Sequence, residues 1–181
     1  MDSDNPSGAD NQQETTMLLE LDPRWVVGFV DGEGCFSVSL HRNGGAWHGW
    51  QVAPVFHAYQ HRDHRVVLEA LRRFFGCGYV RSKGPRSAVL TYAVHARREL
   101  LGEVIPFFER YALLVKQNDF TLFAAIVRSL ANREHADRAG FERLVRLAYR
   151  MNRNGKQRAR PIEEILEGSS ETVRQAPLTG G

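Results

Sequence analysis

Apolar side chains fall on every second position from Phe36: Phe36, Val38 and Leu40 alternate with Ser37, Ser39 and His41. That period predicts a half-buried strand. It returns from about Trp50 to Gln60, with Val52, Phe56 and Ala58 inward and Gln51, His57 and Tyr59 outward. Asn43-Gly44-Gly45 between the two runs reads as a turn. Pro54 cannot donate to a ladder, so it implies a sheet edge or a bulge. Two shorter strands are predicted at about Gly78 to Lys83 and Ala88 to His95, joined by Gly84-Pro85-Arg86-Ser87.

A helical period fills the rest. Asp22-Pro23 supplies an N-cap and a first-turn proline, and the helix they open is predicted to reach about Asp31, with Gly32 and Gly34 ending it. Asp63 is the expected cap of a second helix, whose stripe is Val67, Leu71, Phe74 and Phe75 and whose stop is Gly76. Further helices are expected at about Arg97 to Phe107, Asp119 to Leu130, Arg138 to Met151 and Pro161 to Leu166. The order predicts an α+β fold, one antiparallel sheet with helices on one face. Residues 1–16, polar and acidic, and 168–181 cannot bury a face and are expected to be disordered tails around a single domain, 17–167.

Charge changes this picture. The first 22 residues hold six acids and no Lys or Arg; the remaining chain carries 24 basic and 15 acidic residues. An excess of nine positive charges on a globular body suits a polyanion, although ordinary solubility charge explains it equally well on its own. The expected wet sheet face carries Ser37, Ser39, His41, Gln51, His57, Tyr59, Arg81 and Lys83. Such side chains read base edges and hold phosphates, and as a set they favour nucleic acid. Two cysteines, no apolar run of membrane length and an acidic N-terminus point to an intracellular protein that is neither secreted nor membrane-bound.

The most informative segment is Trp25 to Gly34, Trp-Val-Val-Gly-Phe-Val-Asp-Gly-Glu-Gly. Gly28 and Gly32 share one helix face and allow a second backbone to approach closely. Asp31 and Glu33 sit at the negative pole of the helix, where they cost stability unless a cation compensates, and a hard divalent metal would do so. A glycine cap with incidental acids is the alternative on composition alone.

This segment resembles the LAGLIDADG homing endonuclease signature, with Val26 to Gly34 aligning to its nine residues. The resemblance extends through the helix and strand order, Gly76-Cys77-Gly78-Tyr79-Val80 and Leu114-Val115-Lys116-Gln117. It implies an αββαββα saddle with extra C-terminal helices, paired through the motif helix (Val27, Gly28, Gly32) into a homodimer. It also implies site-specific cutting of double-stranded DNA with Mg²⁺ or Mn²⁺, Ca²⁺ occupying the site without supporting cleavage. Glu33, standing where many members have Asp, and the Gly32 carbonyl are the implied metal ligands. Lys116 is the implied basic residue at the phosphate, and Gln60 the residue that orders water; His64 or Arg65 could add a peripheral basic group. Asp31 is expected to support the helix end rather than bind metal.

No second motif follows. Leu147 to Gly155 lacks both the inner glycine and the acid. One motif supplies half a site, so a C₂ dimer and a nearly palindromic target are expected. Arg143, Arg146, Arg150, Arg153, Lys156, Arg158 and Arg160 read as an acid-free run for phosphate contact. His57, His61 and His64 fail zinc spacing because a strand and a helix separate them. Trp47 and Trp50 flank the first hairpin; packing is their expected role, with a clamp on DNA as the alternative. Intron RNA, as in splicing maturases, stays open as a second partner, and a cleavage-silent DNA binder is the rival reading. Met1 favours an intron-encoded or free-standing product over an intein-embedded one.

Overall fold

The computed structural model describes residues 20–151 and 160–167. The expected tails and the central part of the basic run (Arg153, Lys156, Arg158) lie outside them. Helix α1 (Pro23–Glu33) starts as the sequence predicts: the Asp22 carboxylate accepts the Arg24 N–H at 2.7 Å, and Pro23 occupies the first turn. It ends later than expected. Gly32 lies inside the helix, and Gly34 is extended at φ −84°. Glycine is needed at 34 for space: a Cβ there would sit 2.6 Å from the Val30 Cγ1 and 2.8 Å from the Val30 carbonyl oxygen.

Strands β1 (Gly34–Arg42), β2 (Trp50–His61), β3 (Tyr79–Ser82) and β4 (Val89–Val94) form one sheet in the order β1-β2-β4-β3, antiparallel throughout. The α+β expectation therefore holds. Pro54 pairs with Val38 in unbroken register, and β2 meets β4 only from Phe56 onward. The proline thus sits where β2 has one neighbour, an edge and not a bulge.

Between β2 and α2 (Arg65–Phe75) the chain makes a 3₁₀ turn, Arg62–His64. Asp63 does not cap the helix. The His61 Nδ1 accepts the Asp63 N–H at 3.4 Å, and His64 stands at the helix start without a capping bond. Gly76 closes α2 at φ +65°, a left-handed cap that glycine adopts without strain. The next helix, α3, is not uniform. It comprises Arg97–Glu99, a π segment Leu100–Val104 and Ile105–Arg110. Pro106 has no N–H for an i→i−4 bond, which accounts for the irregular turn before it. Helices α4 (Gln117–Ala131), α5 (Arg138–Arg150) and α6 (162–167) follow.

The inward alternation of β1 and β2 meets these helices in an aromatic core. Phe36 lies 5.2–5.4 Å from Phe56, Phe108, Phe120 and Phe123, all buried. Each such ring contributes about 1.5–3 kcal/mol by leaving water. This core holds one sheet face against helices and leaves the other for ligands.

Candidate nucleic-acid and metal site

The open sheet face is assembled by register. Ser37 pairs with Val55, Ser39 with Ala53 and His41 with Gln51. Further along, Cys35, His57, Ala93 and Tyr79 form one row across four strands, and Tyr59, Thr91 and Arg81 the next. Lys83 continues the β3 edge, its N–H bonding the Val89 carbonyl at 3.0 Å. All eight residues chosen from the sequence thus belong to one alternation. Cys35, Tyr79, Thr91 and His95 belong to it as well; extending the alternation by two residues reaches the first two, and applying the same period to the fourth predicted strand reaches the others.

Aromatic rings order the cations on this face. The Lys83 ammonium lies 4.8 Å from the Tyr59 ring and the Arg81 guanidinium 5.6 Å from Tyr79. His57 is half-buried 4.9 Å from Tyr59. Burial first, then His95 and Lys83, pushes its pKa down to about 4. It therefore offers one donor and one acceptor at neutral pH rather than a charge. The Cys35 thiol is pushed up by burial and stays protonated.

The end of α1 is held by two residues. The Asp31 carboxylate accepts the N–H groups of Leu114, Val115 and Lys116 at 2.7, 3.2 and 3.0 Å. The Lys116 ammonium donates to the carbonyls of Val30 at 3.1 Å, Asp31, and Gly32 at 3.3 Å. Lys116 is therefore the cation that offsets the negative pole of α1, a part the sequence assigned to a metal. Glu33 is exposed, and its carboxylate has no hydrogen-bond or ion-pair partner among the described residues. Gln60 falls on the inward alternation of β2, half-buried at the strand end, where its Oε1 accepts the His61 N–H at 2.9 Å.

The chemistry of these donors suits a hard divalent ion: a free carboxylate and a main-chain carbonyl at a negative helix end. Among the described residues no three acidic, histidine or cysteine side chains gather into a metal cluster. One copy supplies one Glu33.

Gly28 and Gly32 are exposed, and a Cβ at either would meet nothing within 4 Å. Trp25 on the same helix is exposed, as are Leu114 and Val115 beside its end, at 91% and 78%.

The basic run is only partly free. Arg143 pairs with Glu134 at 2.8 Å and Arg160 with Glu164, so acids from elsewhere meet two of its described members. Of the two hairpin tryptophans, Trp50 is buried and Trp47 exposed. His57 lies in β2 and His64 in the 3₁₀ turn. No described helix is long and apolar enough to cross a membrane.

Residues 26–127 match the sequence profile of the LAGLIDADG endonucleases. The chain belongs to the LAGLIDADG endonuclease family. It is similar to homing endonuclease I-ApeII of Aeropyrum pernix, 30% identical over 147 residues, 79% of this chain and 87% of that protein. It is also similar to an uncharacterised 50.9 kDa protein in ND4 intron 1 of Podospora anserina, 32% identical over 67% of this chain, but spans only 27% of that protein. Among solved structures, the homing endonuclease I-TnaI shares 36% identity over 85% of this chain and 99% of its own, with a TM-score of 0.72. The archaeal intron-encoded homing endonuclease I-Vdi141I, solved in complex with DNA, shares 29% over 84% and 96%, with a TM-score of 0.78. Of I-SmaMI, bound to uncleaved DNA target in the presence of calcium ions, this chain covers 49% (28% identity, TM-score 0.73, 81% of this chain).

Proposed function

We infer that this chain is a site-specific DNA endonuclease that acts as a homodimer with a divalent metal and cuts both strands of a long, nearly palindromic site. The observation that carries the reading is the end of α1. The Glu33 carboxylate, without a partner among the described residues, follows the Gly32 carbonyl, one of three that hold the Lys116 ammonium, next to a sheet face lined with base-reading and phosphate-binding groups. Family membership and relatives that bind DNA support it.

Ser37, Ser39, His41, Gln51, His57 and Tyr59 supply donors and acceptors for base edges, and Arg81 and Lys83 supply charge for phosphates. The α1 faces of two copies meet through Val27, Gly28 and Gly32, the open space at both glycines accommodating a second backbone. The near-complete cover of I-TnaI and half-cover of I-SmaMI agree with one half-site per chain. Dimerisation brings two Glu33 carboxylates and two Gly32 carbonyls together to hold the metal. Mg²⁺ or Mn²⁺ held there would supply charge neutralisation at the scissile phosphate. Lys116, fixed at the helix end, stabilises negative charge as it develops there. Gln60, its oxygen engaged by the His61 N–H, keeps its amide N–H groups for ordering water.

Incubating a randomised DNA library with Mg²⁺ tests this reading. Wild type is expected to cut one near-palindromic sequence on both strands, and Glu33→Gln to bind it without cutting. Retention without cleavage by either protein would support a silent DNA binder. Neither binding nor cutting would direct the test to intron RNA.

A further inference from the structure

A cavity of about 100 Å³ lies beneath the β1–β2 hairpin, apart from the groups at the end of α1. Its walls include His48 and Trp50 from the hairpin, Arg97 at the start of α3, His135 in a 3₁₀ turn, Glu134–Ala136, and Phe141 in α5. His48 is 4% exposed and Trp50 3%. Yet both ring nitrogens of His48, the Trp50 Nε1 and the His135 Nδ1 have no hydrogen-bond partner among the described residues. A buried polar group left unmatched is costly, because it has given up its bonds to water. Four such atoms on three residues that line one space describe a recess suited to a polar occupant. The Phe141 ring, 4.8 Å from the His48 ring, packs against that imidazole.

The surrounding charge selects the sign of that occupant. The Arg97 guanidinium borders the cavity and spends one N–H on the Leu130 carbonyl at 3.0 Å. Burial, then Arg97, His48 and Arg133, lowers the pKa of His135. Arg42 and Arg160 flank the Trp50 ring at 4.7 and 5.7 Å, and Glu164 is paired with both. Among the described residues no Asp or Glu lines the cavity. With both outer arginines paired to Glu164, Arg97 is the charge at the wall, and it favours an anion. A space of this size holds about three waters or one tetrahedral oxyanion.

The geometry points to a small-oxyanion site in which a phosphate group is bound by the Arg97 guanidinium, the Trp50 Nε1–H and N–H groups of His48 and His135. The phosphate is either a free anion or a backbone phosphate of bound DNA. Gln51 lines the cavity and also belongs to the open sheet face, so the recess borders that face. The DNA source rests on the function proposed above; the free-anion source does not.

The test uses the full chain. Inorganic phosphate is titrated against sodium chloride of equal ionic strength, following Tm and the indole N–H signals of the three tryptophans. Phosphate is expected to raise Tm and shift the Trp50 signal beyond the chloride control. Arg97→Gln is expected to weaken phosphate binding at least tenfold. Trp50→Phe, which keeps the ring and removes one donor, weakens it less and guards against a folding defect. If the chain binds DNA, the salt dependence of binding separates the sources. Arg97→Gln lowers the slope of log K against log salt by about one for a DNA phosphate and leaves it unchanged for a free anion. Absence of any phosphate-specific shift, or equal shifts in both variants and wild type, overturns the proposal. So does a response to Zn²⁺ with none to phosphate.

Discussion

Asp31 and Lys116 hold each other from opposite directions. The carboxylate of Asp31 takes the main-chain N–H of Lys116 at 3.0 Å, and the side chain of Lys116 returns to the main-chain carbonyl of Asp31. A helix end and a loop 85 residues away are thereby locked as one piece.

Removing the carboxylate tests that lock. Asp31→Ala leaves three loop N–H groups without their acceptor, so a loss of about 1–3 kcal/mol in urea unfolding is expected. The loop would then cease to hold Lys116 in place. Cleavage is expected to fall more than tenfold while DNA affinity changes little. Equal losses in both would assign Asp31 to general stability.

Two glycines of the motif segment are expected to respond in opposite ways. Gly34→Ala drives a Cβ into the Val30 side chain and carbonyl and should cost about 1–3 kcal/mol. Gly28→Ala meets open space, and the helix gains about 0.5–1 kcal/mol from propensity. That gain is expected in the isolated chain, with weaker self-association in sedimentation. A stable Gly28→Ala dimer would move the interface elsewhere.

His57 gives a pH signature. Its pKa lies near 4 in the folded chain against 6.5 for the free group. Between those values the unfolded chain binds the extra proton, so stability is present above about pH 6.5 and falls as the solution is acidified toward pH 4. The contribution is on the order of 2 kcal/mol, reduced for partial exposure. Chemical unfolding across that window should show it, and His57→Gln should flatten the profile.

Arg81 stands beside the Tyr59 and Thr91 row and is assigned to phosphate. Arg81→Gln is expected to weaken DNA binding uniformly across sequences and lower the salt slope by about one. A change in preferred sequence would instead make Arg81 a reader of bases.

Local patterns carried most of the fold. Strand alternation identified the wet face because side-chain direction repeats every two residues, whatever the strands pair with. The motif helix was legible from Asp22-Pro23 and the spaced glycines. The role of Lys116 as the cation at the helix end was not, because its partners lie 84 to 86 positions back. Nor was the bond from the Asp63 N–H to the His61 ring, because it depends on the 3₁₀ turn that separates β2 from α2. The recess at His48 and Trp50 escaped because it forms only when the hairpin, α3 and the C-terminal helices meet.

The early departure of β4 divides the open face into unequal supports. His57 lies in a row crossed by four strands, whereas Ser37, Ser39, His41 and Gln51 rest on the β1–β2 hairpin alone. Substitutions in the first group must satisfy neighbours on several strands at once; those in the second answer to a single ladder. The hairpin is thus a replaceable module, and segments 37–41 and 51–55 could be exchanged together while the pairing of β2 with β4 remains untouched.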